Sequence, residues 1–249
     1  MGSSAVTLDR VSKTFRMRGG TELPVLRDVS FSAQPGEFVA ILGPSGCGKS
    51  TILNLVSGID AASSGVVSAP PAAEIGFVFQ SARLLPWRTI RENIDITRKE
   101  RSRERKTDYR KSTDEYLQIA GLTAYQDFYP AAISGGMQQR ASLARALSTE
   151  PSVLVMDEPF SALDELTART QRAFLQRTWL DNRTTVLFVT HNVTEALTLA
   201  SKIVVVGNRP AGVLECLDVD IPHPRKLSDP RVSALEQKIL KLLGVGDTA

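Results

Sequence analysis

The stretch Gly43-Pro44-Ser45-Gly46-Cys47-Gly48-Lys49-Ser50-Thr51 constrains this chain more than any other. Its spacing, G-x-x-x-x-G-K-[ST], lets a loop enclose a polyphosphate. Glycine lets the backbone curl tightly, and the curl turns successive N–H groups inward. Such a loop feeds a helix N-terminus, where free N–H groups and the helix dipole favour negative charge. Lys49 would add a point charge to the β- and γ-phosphates, and the Ser50 hydroxyl a ligand for Mg²⁺. The flanks agree. Glu37 to Leu42 is a short apolar run that reads as a buried strand. Ile52, Leu53, Leu55, Val56 and Ile59 follow at helical spacing, with Gly58 as a stop.

The bulk properties exclude several classes. A chain of 249 residues with 42% hydrophobic residues can bury a core as one large domain, or one domain with an insertion. A net charge of +3 is too small to argue for nucleic acid as a partner. Cys47 and Cys216 make no metal or disulfide pattern, which suggests a reducing compartment. No apolar run approaches the roughly 18 residues that span a bilayer. No signal peptide is expected, and the Met1-Gly2 start lacks the Ser or Thr at position 6 that a myristoylation site needs.

Strands and helices alternate along the chain. Val6, Leu8 and Val11 suggest a first strand, and Val25 to Ala33 a second, closed by the turn at Pro35-Gly36. Ile75 to Phe79 reads as a strand with Gln80 at its end. Residues 81–130 change character: a helix is predicted near Ile90 to Ile96, then a charge run from Arg98 to Lys111 with eight basic and three acidic residues. That run is a solvated face or a contact for a partner or lipid. Ser112 to Glu115 forms a capping box for a helix that stops near Gly121. Further helices are expected over 137–147, 163–180 and 193–200, and strands over 153–158, 185–190 and 203–206. This order argues for an α/β core with a mainly parallel sheet. In the Pro-rich tail Asp229 caps a last helix with an apolar stripe at Val232, Leu235, Ile239, Leu242 and Leu243. The stripe packs on the domain or meets a partner chain.

The candidate chemistry falls just after strands, where ligands bind in α/β sheets. Asp157 can hold Mg²⁺, and Glu158 can polarise a water for attack on a γ-phosphate. Lys49, Gln80 and His191 take equivalent positions. Ser134-Gly135-Gly136 opens a helix as a second anion cradle. One nucleotide does not need two cradles, so the economical reading is a dimer in which each second cradle covers the other subunit's ATP.

With these residues in view, the chain resembles the ATP-binding subunit of ABC transporters across residues 6–206. Residues 43–51 look like Walker A and Val153 to Glu158 like Walker B. Gln80 resembles the Q-loop glutamine, which meets Mg²⁺ and faces the membrane subunit. Ile133 to Met137 is similar to the signature motif, with Ile133 and Met137 where Leu and Gln are usual. Ser161-Ala162-Leu163-Asp164 matches the D-loop, His191 the switch histidine, and Phe15 the aromatic that stacks on adenine. Leu84-Leu85-Pro86-Trp87 after Gln80, with the Pro-rich tail, is similar to the nitrate/sulfonate/taurine importer group.

The resemblance implies a P-loop NTPase core with a mainly parallel sheet, an N-terminal antiparallel β subdomain and an inserted α-helical subdomain. The expected division within a single ABC ATPase domain (1–249) is a core with its β subdomain at 6–80 and 151–206, a helical subdomain at 81–150, and a strand and helix tail at 207–249. The implied cofactors are ATP and Mg²⁺. Catalytic roles fall to Glu158, His191, Lys49 and Gln80. Phe15, Gly43 to Thr51, Ser134, Gly135 and Gly136 would bind nucleotide, and Ser50, Gln80 and Asp157 the metal. Implied partners are a second copy, two permease subunits near Gln80 to Trp87 and a periplasmic binding protein, at the cytoplasmic face of the inner membrane. An exporter ATPase, a soluble ABC ATPase acting on nucleic acid or ribosomes, and a P-loop kinase are the competing readings.

Overall fold

The computed structural model describes residues 5–105, 109–161 and 163–244, which fall into two compact units. The first holds the chain up to Pro70 and from Thr185 onward; the second holds Pro71 to Thr184.

In the first unit β1 (Val6–Arg16) pairs antiparallel with β2 (Glu22–Ala33) on one side and β4 (Ser64–Ser68) on the other. Val6, Leu8 and Val11 are buried on β1 beside Val29, Phe31 and Ala33 of β2, and register shifts between Leu8 and Val11 change the alternation between them. This is the antiparallel N-terminal sheet expected from the sequence. A second sheet has parallel pairs of β3 (Phe38–Leu42) with β7 (Thr185–Thr190) and with β8 (Lys202–Val206). Every residue of β3 and β7 is buried. That explains their unbroken apolar runs: a parallel strand covered on both faces has no solvent side to mark with polar residues. Phe38 and Phe188 meet at 5.8 Å between ring centroids in this layer. β9 (Val213–Asp218) closes the edge antiparallel to β8. The unit's helices are α1 (Lys49–Val56), α6 (Val193–Leu199) and α7 (Pro230–Leu242). On α7, Val232 and Ile239 are buried while Leu235, Leu242 and Leu243 stay half-buried, so the stripe packs on the domain, partly against α6.

The second unit pairs β5 (Ile75–Val78) parallel with β6 (Val153–Asp157). Around them stand α2 (Ile90–Arg105), α3 (Thr113–Ile119), α4 (Gly135–Leu147) and α5 (Glu165–Asn182). α2 is longer than its apolar spacing suggested. Arg, Lys and Glu are good helix formers, so the charge run continues the helix to Arg105; residues 106–108 of that run lie outside the described residues. The capping box is present: Ser112 Oγ accepts from Glu115 N at 3.2 Å, and Ser112 N donates to Glu115 Oε2 at 2.6 Å. Asn93, fully buried on α2, accepts from Leu85 N and donates to the carbonyls of Leu85, Arg88 and Thr89. Those four bonds fix the loop that carries Trp87, which is 68% exposed. The fold is thus the α/β P-loop NTPase type that the sequence implied.

Candidate active site

The site residues divide between the two units. In the first, β3 delivers the chain into the loop and α1 starts at Lys49. The glycines do different jobs. A Cβ on Gly43 would lie 2.6 Å from Val206 Cγ2, and one on Gly48 2.7 Å from Val25 Cγ1. Gly46 has φ +73° and open space around it, so backbone conformation alone demands glycine there. Lys49 is 4% exposed; its Nζ donates to Gly43 O at 3.0 Å and Pro44 O at 2.9 Å. The ammonium is therefore held at the loop. Cys47 N donates to Pro44 O at 3.4 Å, a long bond. The Cys47 side chain is buried and its thiol pKa is pushed up, chiefly by that burial. The thiol is a protonated filler rather than a nucleophile.

Ser45, Gly46 and Ser50 are exposed, Pro44 and Thr51 half-buried, and no acidic residue sits in the first turn of α1. A glycine loop, a cation, a hydroxyl and a helix start with no acidic residue in its first turn suit a Mg²⁺-bound triphosphate. Phe15 stands half-buried on β1, with Lys13 Nζ 4.7 Å from its ring centroid. His191 follows β7 and is exposed. Its surroundings are tied down: Thr190 Oγ1 donates to Glu195 Oε2 at 2.6 Å, Asn192 N donates to Thr190 Oγ1 at 3.0 Å, and Glu195 N donates to Asn192 Oδ1 at 3.2 Å.

In the second unit Asp157 ends β6 and Glu158 follows with φ +43°. Both are half-buried. A left-handed glutamate is uncommon and costs about 1 kcal/mol or more, a strain often found at functional positions. Ser161 spans the turn after it, with N and Oγ both donating to Glu158 O. Gln80 Nε2 donates in turn to Ser161 Oγ at 3.0 Å. Gln80, Glu158 and Ser161 thus form one connected group.

Ser134 caps α4, its Oγ accepting from Met137 N at 3.3 Å. Met137 offers a backbone N–H here, so the departure from Gln leaves the cap intact. Gly136 is buried, and a Cβ on it would sit 2.7 Å from Thr167 Cγ2, whereas Gly135 opens to free space. Sequence reasoning missed two supports. Gln139, 6% exposed on α4, donates to Phe79 O at 3.2 Å, next to Gln80. Arg145 donates to the carbonyls of Ala82 and Arg83. Both partners are backbone carbonyls, which no side-chain pattern announces.

A model of the family described as "ABC transporter" matches residues 26–161, more than half of the chain. The chain belongs to the ABC transporter family. An aliphatic sulfonates import ATP-binding protein, SsuB of Bacillus cereus, is 36% identical over 97% of this chain and 96% of its own length. A nitrate import ATP-binding protein, NrtC of Synechococcus elongatus, is 38% identical over 96% of this chain, which covers 38% of that longer protein. Among solved structures, the ATP-binding cassette MJ0796 in a dimeric post-hydrolysis state with ADP and Pi matches with a TM-score of 0.74. It is 29% identical, over 87% of this chain and all of that one. This ABC chain is accordingly an ATP-binding cassette and an ATPase, with ATP and Mg²⁺ as its cofactors. Among the described residues, no helix is long and apolar enough to cross a membrane.

Proposed function

We propose that this ATPase powers a bacterial ABC importer for a small anion such as nitrate, a sulfonate or taurine. The observation that carries the reading is the phosphate loop with Lys49 buried in it, in a chain that aligns over almost its whole length with import ATP-binding proteins. The domain division is proposed as the sequence suggested: core and β subdomain at 6–80 and 151–206, helical subdomain at 81–150, tail from 207.

The residues act as follows in this account. The N–H groups of Gly46 to Thr51 and the Lys49 ammonium hold the β- and γ-phosphates, and Phe15 stacks on the adenine. Ser50, Asp157 and Gln80 hold Mg²⁺, which neutralises phosphate charge during transfer. The Glu158 carboxylate takes a proton from the attacking water. His191 donates a hydrogen bond to the γ-phosphate. Two copies face each other, and Ser134, Gly135 and Gly136 of one complete the site of the other. Closing and reopening of that pair drives two permease subunits, reached by the surface from Gln80 to exposed Trp87. A periplasmic binding protein brings the solute, and the ATPase sits peripherally at the cytoplasmic face of the inner membrane.

The experiment is sizing of the purified Glu158→Gln chain with and without Mg-ATP. The variant is expected to be a dimer only with Mg-ATP, while the wild type, sized alongside it, returns to a monomer once its ATP is hydrolysed. A monomer in every condition, with hydrolysis intact in the variant, would remove both the shared site and the role of Glu158.

A further inference from the structure

Three contacts hold the phosphate loop from outside, all within the first unit. Val206, at the end of β8, leaves no room for a Cβ on Gly43, and Val25 of β2 leaves none on Gly48. The third is a hydrogen bond: Arg209 Nη2 donates to Gly46 O at 2.7 Å. Arg209 lies in the short connection from β8 to β9, and that connection is itself anchored. Arg27 N donates to Ala211 O at 2.9 Å, Ala211 N to Val25 O at 2.8 Å, and Gly207 N to Gly212 O at 3.0 Å. The β2 residues that seat Gly48 therefore also seat the arginine's segment.

We propose that Arg209 is a positioning residue for nucleotide binding, holding the Gly46–Cys47 peptide in its phosphate-receiving orientation. In a planar trans peptide the C=O and the following N–H point in opposite directions. Holding Gly46 O outward against the guanidinium therefore turns Cys47 N–H inward, where it meets Pro44 O at 3.4 Å. At that length the Cys47 N–H is weakly held and can turn to a phosphate oxygen. The Arg209 bond lies on the opposite side of the peptide and asks for no exchange. No atom lies within 4 Å of where a Gly46 Cβ would stand, so nothing packs on that side to restrain its left-handed φ of +73°. A charged donor on a carbonyl is among the stronger hydrogen bonds, and its guanidinium is planar and multiply donating.

The inference rests on the ATPase reading, and its test separates the two. Mg-ATP and Mg-ADP affinities would be measured for the full-length wild type, Arg209→Ala and Arg209→Lys, alongside turnover at saturating ATP and melting without nucleotide. Arg209→Ala is expected to weaken ATP and ADP alike by about tenfold, the size of one charge-assisted bond. Turnover at saturation should stay within about twofold and melting should not move. Arg209→Lys, which keeps one donor, should recover part of the affinity. Affinity unchanged in Arg209→Ala overturns the proposal, and so does a loss that follows a lowered melting temperature in both variants. A wild type that binds no nucleotide would instead sink the ATPase reading.

Discussion

Gln80 Nε2 donates to Ser161 Oγ at 3.0 Å, and Ser161 Oγ donates to Glu158 O at 3.0 Å. A residue assigned to sense Mg²⁺ and the membrane subunit is therefore two bonds from the backbone of the residue assigned to activate water. Ser161→Ala removes the shared hydroxyl. A net hydrogen bond of about 0.5–1.5 kcal/mol sets the expected loss in ATP turnover at about two- to tenfold. Turnover and urea midpoint would be compared with wild type. Unaltered turnover would mean that the link carries nothing to the site.

Glu158→Gln should keep ATP affinity and lose hydrolysis by a hundredfold or more, about 3 kcal/mol of barrier. Single-turnover kinetics with labelled ATP give both quantities. Hydrolysis at the wild-type rate would move the catalytic role to another group.

The loop glycines should rank by their surroundings. Gly48→Ala forces a Cβ to 2.7 Å from Val25 Cγ1 at φ +122°, while Gly46→Ala meets open space at φ +73°. The first should cost about 2–4 kcal/mol and the second about 1 kcal/mol, read from denaturant midpoints. Equal costs would show that the close approach to β2 relaxes freely.

Lys13 Nζ donates to Asp60 Oδ1 at 2.5 Å, and that bond is the largest cause holding the Asp60 carboxyl below its usual range. A depressed carboxylate pKa stabilises the fold fully above the unfolded value and loses that contribution as pH falls through the folded value. Stability should thus decline below about pH 4. Asp60→Asn should be less stable at pH 7 and lose less on acidification. Urea midpoints at pH 7 and pH 3 provide the comparison, and parallel losses in the two proteins would contradict it.

Much of the fold was legible because its core strands carry unbroken apolar runs, as Phe38 to Leu42 and Val186 to Val189 do. β4 was missed: Ser64 to Ser68 is mostly exposed, with Val66 at 63%, and gains its strand identity only by pairing with β1. The end of α2 was missed because the sequence pattern there is charge rather than apolar period. The site motifs were legible as types and order. Their supports were not, because Arg209 finds Gly46 O across 163 residues and Gln139 finds Phe79 O across 60. Ala162 of the D-loop match lies outside the described residues.

The central claim is that Lys49-dependent ATP hydrolysis drives uptake of a small anion. The direct measurement is depletion of nitrate and organosulfonates, taurine among them, from the medium by cells carrying this chain or its Lys49→Ala variant. The account predicts that one anion remains in the medium only with the variant. Identical depletion of every anion, or accumulation of a solute inside the variant cells, would contradict it.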